Sequence, residues 1–184
     1  MRSLYLDVDG TIVNSRELVA RAYAAAGVKL PENAWGRRWQ DWLVDHLGGD
    51  YDRAVEVHRR KTEAYADMLL RTDLRQYALP AARVAAFWRR MCGETHVRYL
   101  TASTPQTAFS IVSRLGIGAT LHGGLSYEGR LAHLRAAPAG TIYVDDNMRT
   151  LSRLTCDAPN VRLIAATGQT YQEYINEIGR LTRE

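Results

Sequence analysis

Cysteine and lysine are both scarce in this chain. Its 184 residues include two cysteines, Cys92 and Cys156, and two lysines, Lys29 and Lys61. Two cysteines without CxxC spacing give no metal cluster and no disulfide framework, so reduced, partly buried thiols are expected. The net charge of +4 therefore comes almost wholly from arginine. This charge suits an anionic substrate, but arginine richness by itself does not indicate a nucleic-acid partner.

Long apolar runs are missing as well. The sequence has no stretch of about 18 apolar residues, which excludes an ordinary membrane-spanning helix. Asp7 and Asp9 interrupt any apolar segment near the N-terminus that could serve as a secretory signal. We therefore expect a cytoplasmic protein without a membrane partner. The sequence does not indicate an oligomeric state.

Strand-like and helix-like segments alternate along most of the chain. Asn14 is expected to cap the first helix, and Pro80 suits the start of a later one. Alternation of this kind predicts an α/β fold with a doubly wound, parallel, Rossmann-like sheet. The expected strands are residues 4–8, 97–100, 119–122, 141–144 and 161–165. The expected helices are residues 14–26, 35–47, 51–71, 80–91, 105–116 and 131–136, one after residue 147, and one from residue 171.

One long segment contains helical patterns and no convincing strand. It follows the first strand directly, which predicts a small α-helical cap over residues 15–76. Residues 1–14 and 77–184 then form the α/β core. Within the segment, Trp35, Trp39 and Trp42 fall on one face of a helix, where they either form the core of the cap or stack on a nucleobase or sugar.

Three of the expected strands end in small or acidic polar residues. In an open α/β sheet, ligands bind outside the carboxyl ends of the strands, so these side chains are expected to converge. Gly10 allows a sharp turn beside the first pair. The three pairs are Asp7 with Asp9, Thr101 with Ser103, and Asp145 with Asp146.

Four carboxylates in one place repel each other severely without a cation. Oxygen ligands without histidine or cysteine favour a hard ion, and Mg²⁺ is the natural choice. A carboxylate nucleophile beside Mg²⁺ and a phosphate-binding hydroxyl is typical of chemistry through an aspartyl-phosphate. Taken singly, the first acidic pair can also be a turn or part of a calcium loop, and residues 145–147 can be a helix N-cap.

The segment Leu4-Tyr5-Leu6-Asp7-Val8-Asp9-Gly10-Thr11 resembles the first motif of the haloacid dehalogenase superfamily. The resemblance extends over essentially the whole chain and implies a phosphatase. It implies that Asp7 attacks phosphorus, while Asp9 protonates the leaving oxygen and then activates water. The dehalogenases themselves lack an acid at the position of Asp9.

Two further segments extend the resemblance. Residues 97–101 are similar to the second motif, which implies that Thr101 donates its hydroxyl to the phosphate. Residues 143–146 are similar to the fourth motif, which implies that Asp146 binds Mg²⁺ directly and Asp145 directly or through water. By the same resemblance Asp7 and the main-chain carbonyl of Asp9 complete the metal ligands. The substrate-binding residues it implies are Gly10, Thr11, Ala102 and Ser103.

The third motif departs from the family pattern, which places a lysine there to balance the charge of the site. No lysine follows Lys61. Arg130 is the candidate replacement, because Gly129-Arg130 lies just before the expected helix that leads into the strand of Asp145, and Arg135 is the alternative. Thr150 is a second departure, since many members carry an acid at its position.

The helical insert resembles the cap of the phosphoglycolate phosphatase and β-phosphoglucomutase branch. In that branch the cap closes over the site and selects the substrate. The implied activity is Mg²⁺-dependent hydrolysis of a small phosphorylated metabolite, either a nucleoside monophosphate or a sugar or organic-acid phosphate. The alternatives are a phosphomutase, a phosphatase acting on nucleic-acid ends, which the closed cap disfavours, and a non-catalytic binding module.

Overall fold

The computed structural model describes residues 2–35 and 37–181. The chain divides into two compact units. The first comprises Met1–Asn14 and Leu74–Glu184, and the second is Ser15–Asp73. Residues 74–76, which were expected in the cap, thus lie in the first unit, where they begin a short 3₁₀ helix, Leu74–Tyr77.

The first unit is built on one five-stranded sheet in which all described strand pairs are parallel. The strands are β1 (Leu4–Leu6), β2 (Val97–Leu100), β3 (Thr120–His122), β4 (Ile142–Asp145) and β5 (Arg162–Ala165). Their order in the sheet is β3-β2-β1-β4-β5. The predicted α/β class with a parallel sheet is therefore confirmed.

The strand order places β1 in the middle of the sheet, between β2 and β4. Leu6 pairs with Tyr99 on one side and with Val144 on the other. The chain moves outward from β1 through β2 to β3, and then crosses to β4 and β5 on the opposite side. Such a reversal creates a crevice at the carboxyl ends of β1 and β4, which is the usual ligand site of an open α/β sheet.

The described residues form eight α-helices, and side chains cap several of them. Ser126 accepts a hydrogen bond from the N–H of Gly129, and Asn147 accepts from the N–H groups of Arg149 and Thr150. Such caps satisfy N–H groups that the first helical turn leaves unpaired. The helices are α1 (Arg16–Ala25), α2 (Gln40–His46), α3 (Tyr51–Arg71), α4 (Pro80–Cys92), α5 (Pro105–Arg114), α6 (Tyr127–Arg135), α7 (Met148–Asp157) and α8 (Tyr171–Leu181).

One apolar cluster of the first unit joins the sheet to α6 and α7. Tyr143 of β4 is fully buried and belongs to this cluster, together with Leu131 and Leu134 of α6. Strands buried on both faces read as continuous apolar runs, which is why β1 and β4 could be recognised in the sequence. Because α6 packs on the sheet, the orientation of its side chains relative to the strand ends is fixed.

The second unit contains α1, α2 and α3 around its own apolar core. Trp42 is buried in that core, while Trp39 is only partly buried against it. The ring of Trp39 stacks on His58, with ring centroids 4.5 Å apart. Trp35 lies outside α2 and is placed with the guanidinium of Arg16 over its ring.

Several sequence-based expectations differ from the structure. The helix expected over residues 35–47 begins only at Gln40, so the three tryptophans do not share one helical face; Gly36 lies outside the described residues. Ser15, not Asn14, precedes the first helical residue, and the N–H of Asn14 donates to the carbonyl of Tyr77. The sixth helix begins at residue 127 rather than 131, since its Ser126 cap sets the start.

The two cysteines are free, in agreement with the sequence. Cys92 is partly buried, but Cys156 is exposed, contrary to the expectation that both are partly buried. In the described parts of the chain, no helix combines the length and the apolar character needed to cross a membrane.

Candidate active site

The carboxyl ends of β1, β2 and β4 carry the polar residues that the sequence pattern singled out. Asp7 follows β1 directly, Asp145 is the last residue of β4, and Thr101 follows β2. The N–H of Asp7 donates to the carbonyl of Val144 at 2.9 Å, so the ladder between β1 and β4 continues up to the acidic residues. Because β1 lies between the other two strands, their ends adjoin it on both sides.

Three carboxylates come together at this edge of the sheet. Asp7, Asp145 and Asp146 each offer one oxygen, and these oxygens lie within 4.8 Å of one another. Asp7 is 7% exposed and Asp145 is fully buried. Asp9 does not contribute to this set; its carboxylate accepts a hydrogen bond from the Ser103 hydroxyl instead.

Asp145 is held by three hydrogen bonds that use both of its carboxylate oxygens. The Tyr143 hydroxyl donates to Oδ2 at 2.7 Å, and Nη1 of Arg130 donates to the same oxygen at 3.1 Å. The N–H of Asn147 donates to Oδ1 at 2.8 Å. Hydrogen bonds to an ionised carboxylate stabilise its charge, which burial otherwise opposes. Asp145 is therefore strongly fixed by protein groups alone.

Asp7 has a different environment. Within residues 2–35 and 37–181, its buried Oδ1 has no hydrogen-bond partner. Burial raises the pKa of Asp7 well above its usual value, and the adjacent carboxylate of Asp145 raises that pKa further. Arg130 acts in the opposite direction. A buried carboxylate of this kind needs an added positive charge in order to remain ionised.

Arg130 brings a positively charged side chain to the cluster of carboxylates. Its side chain is 11% exposed, and its Nε is buried without a hydrogen-bond partner among the described residues. Burial acts to lower the pKa of Arg130, but the acidic groups around it, Tyr143 first and then Asp7, outweigh burial and raise that pKa. Arg135 lies elsewhere, since its Nε donates to the carbonyl of Asp157. The structure thus brings the first candidate arginine to the site and not the second.

Gly10 and Thr11 shape the turn that follows Asp9. Gly10 has φ +82°, and a Cβ added to it would lie 2.2 Å from Oδ2 of Asp146. The hydroxyl of Thr11, which is 1% exposed, accepts a hydrogen bond from the N–H of Asp146 at 3.1 Å. The turn after β1 therefore packs directly against the start of the segment after β4. Both residues of this turn contact Asp146, which the resemblance did not imply.

The segment after β2 is organised around Thr101. Its hydroxyl oxygen accepts the N–H of Ser103 at 3.2 Å, and its carbonyl accepts the N–H of Leu125 at 2.9 Å. The Thr101 hydroxyl oxygen acts as an acceptor in the bond from Ser103, so its own proton is still available for donation to another group. Ala102 is exposed, and the Ser103 side chain is bonded to Asp9.

Tyr143 is a site residue that sequence analysis missed. Its hydroxyl contacts Asp145 although the side chain is otherwise in the apolar core. The signal was present, since residues two apart on a strand share one face. Burial raises the pKa of Tyr143 well above its usual value, and the charge of Asp145 adds to this effect. Tyr143 therefore remains a neutral hydrogen-bond donor.

The donor set of the site fits a hard divalent cation such as Mg²⁺. Its oxygens come from carboxylates, and the buried Oδ1 of Asp7 has no protein partner among the described residues. Mg²⁺ prefers oxygen ligands and is commonly held by one or two carboxylates. Asp7, Asp145 and Asp146 each offer an oxygen that could hold such an ion, and both oxygens of Asp145 also accept hydrogen bonds from protein donors.

No family model matches the sequence, and a search of curated proteins returned no match. Solved structures do share the fold. A β-phosphoglucomutase from Clostridium difficile has a TM-score of 0.70 at 13% identity, with 100% of both chains covered. A mutant of CbbY from Rhodobacter sphaeroides, in complex with xylulose-1,5-bisphosphate, has a TM-score of 0.69 at 17% identity, covering 94% of this chain and 89% of that one.

A third similar structure is a family IA, variant 3 HAD hydrolase from Entamoeba histolytica. Its TM-score is 0.67 at 14% identity, and the match covers 100% of both chains. At such identities the similarity concerns the fold. It shows that this chain shares the fold of these three proteins.

Proposed function

We propose that this chain is a Mg²⁺-dependent phosphomonoester hydrolase that acts through an aspartyl-phosphate on Asp7. The observation that carries the proposal is the cluster of Asp7, Asp145 and Asp146, the first two of them buried, with Arg130 at its side. Structural roles alone do not require three carboxylates at one sheet edge, because their mutual repulsion and burial cost stability. The proposed substrate class is a small phosphorylated metabolite, because Arg130 together with a bound cation would offset the charge of a phosphate group.

Asp7 is the nucleophile in this proposal. The buried Oδ1 of Asp7, which has no hydrogen-bond partner among the described residues, is the oxygen left for the cation, so the other carboxylate oxygen attacks phosphorus. The new bond joins this attacking oxygen of Asp7 to phosphorus, while the bond from phosphorus to the ester oxygen breaks. Asp9 gives its proton to the ester oxygen, and the dephosphorylated part of the substrate leaves as an alcohol.

In the second step Asp9 acts as a general base, and the aspartyl-phosphate is hydrolysed. It accepts a proton from a water molecule, whose oxygen attacks the phosphorus of the aspartyl-phosphate. The bond to Asp7 breaks, and the products are inorganic phosphate and the regenerated carboxylate. One residue thus serves as acid in the first step and as base in the second.

Two groups of the chain serve the phosphoryl group itself. The Thr101 hydroxyl oxygen already accepts the Ser103 N–H, so its own proton is available to a phosphate oxygen. Arg130 supplies a permanent positive charge beside Asp145. When bound, Mg²⁺ would supply further positive charge to offset the carboxylates and the phosphate, with Asp7 and Asp146 as its direct ligands and Asp145 behind them.

The test is phosphate release from a panel of phosphomonoesters, including a generic aryl phosphate, with Mg²⁺ present. Asp7→Asn is expected to lose activity by about 10³-fold or more, because the nucleophile is gone. Asp52→Asn, at an exposed position of the second unit, is the matched control and should behave as wild type.

Two additional measurements sharpen the result. Rapid acid quenching of wild type with substrate should trap a protein one phosphoryl group heavier, and Asp7→Asn should not show this mass. Product analysis separates a hydrolase, which releases inorganic phosphate, from a mutase, which returns an isomeric phosphate. A panel without any Asp7-dependent phosphate release would refute the proposed hydrolase.

A further inference from the structure

We propose that Ser103 is a positioning residue that orients the carboxyl group of Asp9 for proton transfer. This inference rests on the proposed function, in which Asp9 is the general acid and base. It assigns Ser103 to Asp9 and not to the phosphate, which is the role that the family resemblance implies for it. The grounds are the contact between the two side chains and the way in which Ser103 itself is held.

The contact joins two segments that are far apart in sequence. The Ser103 hydroxyl donates a hydrogen bond to Oδ2 of Asp9, across 94 residues of chain. An ionised carboxylate can only accept hydrogen bonds, so the direction of this bond is fixed by chemistry. Bonds of this charge-assisted kind are the stronger ones in proteins. The Ser103 hydroxyl is thus engaged with Asp9 before any phosphate arrives.

Ser103 is well suited to hold another group because its own backbone is held on both sides. Its N–H donates to Oγ1 of Thr101 at 3.2 Å, and its carbonyl accepts the N–H of Gly124 at 2.6 Å. The neighbouring Gly123 is packed so closely that a Cβ there would lie 2.7 Å from the Cα of Pro105. The hydroxyl therefore projects from a segment with little room to move.

The hydrogen bond also determines which oxygen of Asp9 carries the proton. When Asp9 is protonated, the oxygen that accepts from Ser103 is favoured as the carbonyl oxygen, because it is already receiving a proton. The acidic proton then resides on Oδ1. Without the Ser103 hydroxyl, the carboxyl group loses a contact that orients it, and its proton is directed less well. Proton transfer requires a donor within hydrogen-bond reach of the accepting atom, so orientation controls the rate.

The nature of the leaving group separates this role from a structural one. An alkoxide leaves only with a proton, whereas nitrophenolate leaves without one. For Ser103→Ala, kcat/KM for alkyl phosphates is expected to fall about 10- to 100-fold, the range of a hydrogen bond to a charged group. The kcat/KM for 4-nitrophenyl phosphate should stay within about 2-fold of wild type, because kcat/KM reports only steps through phosphoryl transfer to Asp7.

Three variants serve as controls. Ser103→Thr keeps the hydroxyl and should restore most of the alkyl phosphate activity. Thr107→Ala removes a nearby hydroxyl that is bonded to Thr104 and should leave both substrates unaffected. Adding Ser103→Ala to Asp9→Asn should cause no further selective loss, since the group that it orients is already inactive.

The outcomes are distinct. A selective loss on alkyl phosphates, restored by threonine, supports the assignment. Equal losses on both substrates, or no loss on either, overturn it while leaving the proposed hydrolase intact. Wild type without Asp7-dependent release on any ester overturns both proposals. If Ser103→Ala is poorly folded by circular dichroism, Ser103→Cys keeps the side-chain volume with a much weaker donor and provides the same comparison.

Discussion

Replacing Gly10 by alanine changes the candidate site in two ways that can be measured separately. The first effect is on the backbone, because Gly10 has φ +82° and a side chain in this region costs about 1–2 kcal/mol. The second is a direct collision, since the new Cβ would lie 2.2 Å from Oδ2 and 2.5 Å from Cγ of Asp146. Ordinary contact distances are about 3.5–4.0 Å, so the Asp146 carboxylate must move by about 1 Å or more.

The chain offers matched controls for the backbone effect alone. Gly116 and Gly168 have φ +69° and +70°, and a Cβ at either position would meet no heavy atom within 4 Å. Their alanine variants should lose about 1–2 kcal/mol of unfolding free energy and keep kcat/KM within about 2-fold of wild type. Gly10→Ala should lose a similar or larger free energy of unfolding.

The functional effect should be confined to Gly10. A misplacement of about 1 Å in a catalytic group can cost about 10²-fold in rate, and we expect a loss of this size in kcat/KM for Gly10→Ala. The Mg²⁺ concentration for half-maximal activity should rise about 10-fold, because a displaced Asp146 binds the ion less well. The assay is phosphate release at a series of Mg²⁺ concentrations, with urea unfolding in parallel. Wild-type kcat/KM and Mg²⁺ dependence in a folded Gly10→Ala protein would refute the assignment of Asp146.

Two further predictions concern the charge-balancing arginine and a histidine of the second unit. Arg130→Ala should reduce kcat/KM on the order of 100-fold or more, because Asp145 loses its charged partner. Arg135→Ala should be near wild type, and equal effects of the two variants in the phosphate-release assay would contradict this. Burial and, to a smaller extent, the charge of Lys61 lower the pKa of His58 to about 4. Between about pH 6.5 and 4 only the unfolded chain takes up the proton, so the unfolding free energy should fall as the pH drops through this range. After discounting for solvent screening the loss is about 1 kcal/mol, and urea titrations at both pH values should show it in wild type and not in His58→Phe.

The parallel sheet could be predicted from the sequence because its strands are short apolar runs bounded by polar turns. The helix boundaries were harder, since they depend on caps that compete locally. Ser126 begins α6 four residues earlier than the apolar pattern suggested, by accepting the N–H of Gly129. The expected helix from Trp35 fails for a related reason: the segment before Gln40 contains a 3₁₀ turn, and Trp39 is itself the residue before α2.

The candidate site was partly visible for a topological reason. Once β1 and β4 are recognised as parallel neighbours, Asp7 and Asp145 must lie at the same edge of the sheet. The hydrogen bonds that orient these groups were not visible, because they depend on side-chain directions. The bond from Ser103 to Asp9 crosses between two strand ends, and no spacing rule indicates it. The contact of Tyr143 with Asp145 is different, because it follows the period-two pattern of a strand.

Arginine at position 130 alters how charge can be shared in a site of this kind. A lysine presents one nitrogen, whereas a guanidinium presents a planar set of donors on separate nitrogens. Arg130 uses Nη1 on Asp145, and its buried Nε has no partner among the described residues. Among the described residues the buried Oδ1 of Asp7 likewise has no hydrogen-bond partner, and the charge of Arg130 acts to lower the pKa of Asp7, against the larger effect of burial. Since buried polar atoms without partners are costly, both atoms are consistent with the proposed function, in which a cation would bind the carboxylate and a phosphate oxygen would accept from the guanidinium.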